Sequence, residues 1–88
     1  MYFTYVLLSI KDKKRYIGYT NDLKKRLEEH TSGLNKSTKH RRPFILIYYE
    51  ACRSETDAKN REKYLKGQWG YKYINNRLKD YYKDRANP

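Results

Sequence analysis

A carboxylate on the narrow apolar stripe of a helix is the residue in this sequence that most needs a chemical explanation. Glu62 projects within about 40° of Ala58 on a helix whose buried stripe is otherwise only Ala58 and Leu65. An acid turned inward is costly unless it is paired or binds a cation. The structural alternative is an ion pair with Arg26 or Arg61. The chemical alternative is a ligand to one Mg²⁺ (or Mn²⁺) ion. Such an ion takes hard oxygens and keeps most of its waters, so one carboxylate and a substrate phosphate suffice. Asp22, Glu28, Glu29, Glu55 and Asp57 fall in first turns or on polar faces, which makes a site with two protein carboxylates hard to assemble.

A second inward pair lies earlier in the chain. Leu23 and Leu27 mark the buried stripe of a first helix, and Arg26 and His30, one turn apart, fall on or beside it. They face the strand Arg15-Tyr16-Ile17-Gly18. A cation and an imidazole so placed either build a site or sit at the rim with their stems buried. Other chemistries fit less well. The two histidines and the lone Cys52 have no zinc-ligand spacing. The four glycines are scattered and form no phosphate-cradling loop. No nucleophile elbow or Cys-His arrangement is readable.

These side chains need elements to hold them. Tyr2 to Ser9 is β-prone, with Phe3, Tyr5 and Leu7 on one face and Thr4, Val6 and Leu8 on the other, the pattern of a central strand covered on both sides. Lys11 to Lys14 turn the chain, and Arg15 to Gly18 return antiparallel. Gly18 permits an unusual backbone or a close approach. Thr20 or Asn21 is expected to cap the first helix, with Asp22 favouring its dipole. That helix fades near His30, with Gly33 as its stop. Thr31 to Pro43 reads as a solvated loop carrying Lys36, Lys39, His40, Arg41 and Arg42. Phe44 to Glu50 is a third strand, apolar on both faces and expected to be covered on both.

Ser54 followed by Asp57 opens the Glu62 helix, which runs to about Lys66. Gly67 to Gly70 should break the chain. A last helix is expected from about Tyr71 to Lys83, with Asn75 at the edge of its apolar face, and residues 85–88 should fray. The order is β-β-α-β-α-α. This is a small α+β fold, a three-stranded antiparallel sheet covered by helices, in a single domain over residues 1–84.

Composition bounds the partners. A formal charge of +11 on 88 residues makes a polyphosphate the natural ligand. No segment approaches the length of a membrane span, and Tyr2 enters a strand where a leader would stand, so no membrane role is expected. Cys52 alone excludes an internal disulfide and fits a reducing compartment, the cytoplasm. The eleven tyrosines read mainly as amphipathic core and rim residues in a chain poor in aliphatic ones.

Taken together, Tyr5, Tyr16-Ile17-Gly18, Arg26, His30 and Glu62 resemble the GIY-YIG nuclease domain. Within that superfamily the chain is similar to small standalone proteins akin to the catalytic domain of the excision-repair subunit UvrC. Phe3-Thr4-Tyr5 keeps only the final tyrosine of the first signature triad, and Tyr16-Ile17-Gly18 keeps the second intact. The run from Thr20 to His30, the segment Arg41-Arg42-Pro43, and the helix from Ala58 to Lys66 match in the same order. Two features depart from the pattern. Tyr19 stands where some members carry lysine, and the late asparagine has Asn75 as its better counterpart and Asn76 as the other.

The resemblance implies phosphodiester hydrolysis in DNA, with RNA not excluded, in repair or recombination. Glu62 would hold one metal ion and Arg26 would stabilise the crowded phosphate. Tyr5 or Tyr16 would activate or position water, and His30 would assist proton transfer or bind phosphate. A free phenol has a pKa of about 10, so Arg26 and the metal would have to lower it for a general-base role. The basic loop from Lys36 through Lys39, His40, Arg41 and Arg42 would grip the backbone. A protein partner is an expected source of target choice. The competing class is a module of the same fold that binds nucleic acid through charge and stacking without cutting it.

Overall fold

Alternate residues of the first strand are apolar on both faces, and the fold uses both. The computed structural model describes residues 1–86. Its strands are β1 (Tyr2–Ser9), β2 (Arg15–Thr20) and β3 (Phe44–Cys52). Its helices are α1 (Leu23–Ser32), α2 (Glu55–Lys66), α3 (Gln68–Arg77) and α4 (Lys79–Ala86), with a 3-10 turn over Lys39–Arg41. The three strands form one antiparallel sheet in the order β2-β1-β3. β1 is therefore central, as its composition requires. Val6 packs against Leu65 of α2 and Ile74 of α3 on one face. Tyr5 points to the other face, where α1 brings His30 against its ring. The fold is α+β, with helices on both sides of the sheet.

Local signals place the helix bearing Glu62 well. The Ser54 hydroxyl accepts from the Asp57 amide at 3.2 Å, and Ala58 and Leu65 are the buried residues of α2. Gly33 caps the end of α1. Several boundaries differ from expectation, each for a tertiary reason. β2 does not stop at Gly18, because Tyr19 and Thr20 go on pairing with Thr4 and Phe3. The helix start moves on accordingly. Its cap is Asp22, whose carboxylate accepts from the Lys25 amide at 3.1 Å, rather than Thr20 or Asn21. β3 is an edge strand and is not covered throughout, since Ile45 and Tyr49 stay exposed.

The C-terminal region holds two helices where one was expected. Gly67 alone interrupts the chain, and Gln68 to Gly70 are already helical. Gly70 allows this by close approach: a Cβ there would stand 2.2 Å from the Tyr64 carbonyl oxygen and 2.3 Å from the Leu65 Cα. Leu78 then leaves helical geometry to close α3, and α4 restarts at Lys79. α4 takes in Arg85 and Ala86 of the stretch expected to fray, while Asn87 and Pro88 lie outside the described residues.

Candidate functional site

The site is built on the free edge of β2, at the place where that edge has no side chain. Gly18 pairs with Tyr5 across the sheet. The Tyr5 ring lies over it so closely that a Cβ there would be 2.4 Å from both Cζ and the hydroxyl oxygen. Tyr5 thus reaches across β2 from the central strand. Its hydroxyl meets His30 Nε2 at 3.0 Å, and His30 Nδ1 meets the Thr38 hydroxyl at 2.7 Å. Tyr5, His30 and Thr38 are 0%, 1% and 0% exposed. His30 is thus wholly inside, behind Tyr5, and not at a solvated rim.

Burial and charge set the protonation of this group. Burial pushes the Tyr5 phenol up to about 12; the Arg26 guanidinium beside it opposes the rise, while Tyr16 and Glu62 add to it. Burial, then the Arg26 charge, holds the His30 imidazole below its ordinary 6.5, with Glu29 opposing. Both rings are therefore neutral at neutral pH. Arg26 lowers the phenol by less than burial raises it.

Glu62 is not held by either guanidinium that could have neutralised it. Arg26 Nε donates to Glu29 at 3.1 Å on its own helix. Arg61 donates to both oxygens of Glu50 at 2.9 and 3.1 Å, between the rings of Tyr64 and Tyr73. The Glu62 carboxylate instead meets Lys66 Nζ at 3.3 Å, one turn on, where the lysine side chain is 55% exposed. The Glu62 side chain is half-buried, but an i,i+4 pair with a solvated lysine is weak and opens easily. Among the described residues no three His, Cys, Asp or Glu side chains gather to hold a metal. With one carboxylate, Glu62, the donor set would suit only a hard divalent ion that keeps most of its waters.

The two candidate tyrosines are distinguished by exposure. Tyr5 is buried and hydrogen-bonded. Tyr16 is half-buried, with its ring edge-on to His30 at a centroid distance of 5.2 Å. Among the described residues nothing hydrogen-bonds its hydroxyl. Tyr19 points to the α2 side, where its hydroxyl donates to Glu55, which pushes the phenol up to about 12. It does not join the Tyr5 group.

Asn75 accepts from Arg15, whose guanidinium also lies over the rings of Tyr71 and Tyr82. These residues line a cleft of about 640 Å³ beside β2, together with Lys13, Lys14, Tyr16, Ile17, Leu65 and Lys66. Among the described residues no carboxylate lines it. Lys66 ties it to Glu62.

The basic loop divides into solvent-facing and structurally committed cations. Lys36, Lys39 and His40 are exposed. Arg41 is committed elsewhere: it donates to Asp12 at 2.7 Å and to the Lys14 and Arg15 carbonyls at 3.2 Å, pinning the loop to the hairpin. Among the described residues Arg42 donates only to the carbonyls of Lys39 and Thr31 and meets no carboxylate. With Lys11, Lys39 and His40 it lines a second hollow of about 460 Å³. Lys11, Arg15 and Thr38 were missed by sequence reasoning. The first two looked like ordinary hairpin cations, and Thr38 sits unmarked in a charged loop.

The family model for the GIY-YIG catalytic domain matches residues 1–75. The chain belongs to the GIY-YIG family. Its second signature triad is Tyr16-Ile17-Gly18, and the glycine of that triad is the one Tyr5 crosses. Relatives of this GIY-YIG domain include a UPF0213 protein of Clostridium perfringens, 39% identical over 61 residues, 68% of this chain and 66% of that protein. A UPF0213 protein of Streptococcus pyogenes serotype M3 is 45% identical over 65 residues, 73% of this chain and 70% of that protein. The match thus spans about two thirds of the Clostridium relative's length. The solution NMR structure of a UPF0213 protein from Bacillus halodurans is similar at a TM-score of 0.51 and 32% identity, over 84% of this chain and 82% of that one. Among the described residues no helix is long and apolar enough to cross a membrane.

Proposed function

We propose that this GIY-YIG domain is a divalent-metal-dependent endonuclease that hydrolyses phosphodiester bonds in DNA. The observation that supports this most is the gathering of Tyr5, Tyr16, His30 and Arg26 at Gly18, with Glu62 nearby and unclaimed by any guanidinium. When bound at Glu62, a Mg²⁺ or Mn²⁺ ion supplies Lewis-acid stabilisation of the phosphate and leaving oxygens.

The chain's own residues do the rest. Arg26 exchanges Glu29 for phosphate oxygens and stabilises the charge that builds on them. Tyr16, with its open hydroxyl, orients the attacking water. Tyr5 and His30 stay neutral and buried and hold Arg26 in place. Water's oxygen joins phosphorus, the bond to the leaving oxygen breaks, one proton goes to that oxygen and one to solvent. The cleft with Lys13, Lys14, Arg15 and Lys66, and the hollow with Lys11, Lys39, His40 and Arg42, take neighbouring phosphates. Target choice comes from a protein partner, and the free Cys52 thiol suits the cytoplasm.

The test is cleavage of labelled single-stranded, duplex and branched DNA, and of RNA of the same sequences, with Mg²⁺, Mn²⁺ or chelator. Metal-dependent scission of DNA supports the proposal, and a preference for branched DNA supports a role in repair or recombination. Tight binding with no scission on any substrate would leave a non-cutting nucleic-acid module instead.

A further inference from the structure

Thr38 lies in the charged loop between α1 and β3, yet it is fully buried. Asn35 builds its place. The amides of Thr38 and Lys39 donate to the Asn35 carbonyl at 3.2 and 3.0 Å, while the Asn35 side-chain oxygen accepts from the amide and hydroxyl of Ser37 at 3.0 and 2.6 Å. The Thr38 hydroxyl is thereby presented to His30 Nδ1, and the opposite ring nitrogen to Tyr5.

Donor counting gives this chain a direction. Among the described residues the buried Tyr5 hydroxyl meets no acceptor other than His30 Nε2, so its phenolic hydrogen goes to that nitrogen. A nitrogen that accepts carries no hydrogen, so neutral His30 carries its own on Nδ1 and donates it to Thr38. The Thr38 hydrogen then goes to the Asn35 carbonyl at 3.4 Å. Under the reverse assignment the phenolic hydrogen is buried without an acceptor, a costly arrangement. Every buried side-chain polar atom among the described residues has a partner, so the tautomer is decided by where the hydrogens go.

We infer that Thr38 is a positioning residue: its hydroxyl holds His30 in the Nδ1–H tautomer and, through Tyr5, aims Arg26 at the substrate phosphate. The tautomer stands on geometry alone, whereas the effect on cleavage rests on the nuclease reading above.

Long-range ¹H–¹⁵N spectra of the imidazole rings near neutral pH read the tautomer with no metal or substrate present. Wild-type His30 is expected to be protonated on Nδ1 and bare on Nε2. Thr38→Val keeps the shape and removes the hydroxyl. It is expected to turn His30 toward Nε2–H, to shift the Arg26 side-chain resonances, and to lower kcat on DNA about tenfold with KM unchanged. Thr38→Ser is expected to restore all three. An Nε2–H ring in the wild type overturns the inference, as does a folded Thr38→Val protein with unaltered tautomer, Arg26 resonances and kcat. Should Thr38→Val not fold, the wild-type ring and Thr38→Ser decide. If no variant cuts DNA the nuclease reading falls, and the ring and Arg26 spectra still judge Thr38.

Discussion

Tyr5 passes over Gly18 with no room for a methyl group between them, since a Cβ on Gly18 would stand 2.4 Å from the phenolic oxygen. Gly18→Ala must therefore displace the ring whose hydroxyl meets His30 and lies beside Arg26. Expected results are a loss of about 1–3 kcal/mol in urea unfolding and at least a tenfold fall in kcat on DNA, the cost of overpacking a filled position. Unchanged stability and rate would mean that the ring has space the structure does not show.

Arg26 is paired with Glu29 in the free protein, and in the proposed mechanism Glu29 and the substrate phosphate compete for it. Arg26→Lys keeps the charge but loses the fork, and kcat should fall about 100-fold. Glu29→Ala releases the guanidinium and should lower KM for DNA while kcat holds. Steady-state kinetics on both variants separate the two effects.

The cations of the loop are not equivalent. Lys11→Ala and Lys39→Ala should each weaken DNA binding and reduce the slope of log K against log salt by about one. Arg41→Ala removes the tie to Asp12 and should lower Tm while leaving that slope nearly unchanged. Binding titrations between low and moderate salt, with melting curves alongside, check the division.

His30 makes stability depend on pH in a definite direction. Its folded pKa lies below the ordinary 6.5, chiefly through burial, so below pH 6.5 the unfolded chain binds a proton that the folded one refuses. Stability from this group is complete above 6.5 and is lost as pH falls through the window beneath it. Melting curves from about pH 8 down to about pH 5 should show Tm declining in that window, and His30→Gln should flatten the decline.

Much of this was legible in the chain because the signals are local. Ser54 and Asp57 announce a helix start, alternation marks β1 as central, and the inward angle of Glu62 on its helix is arithmetic. What was not legible depends on distant partners. The β2 edge runs on to Thr20 because Phe3 and Thr4 hold it there, and nothing between Gly18 and Asp22 says so. Arg41 reads as another loop cation until Asp12, 29 residues away, is seen to claim it. Thr38 carries no charge and no periodicity, and only the folded chain brings it to His30. Which of Tyr5 and Tyr16 keeps an open hydroxyl was likewise not legible, since it turns on which of them is buried against His30 of α1.

Glu62 carries the central claim, and Glu62→Gln removes its charge while keeping its shape. The most direct measurement is the single-turnover cleavage rate of DNA at saturating protein in Mg²⁺, with affinity measured on the same DNA in chelator. The account predicts binding at least as tight as wild type, because one repelling charge is gone, and a rate lower by about 1,000-fold, or about 4 kcal/mol of barrier. A Glu62→Gln protein that cuts as fast as wild type would contradict it.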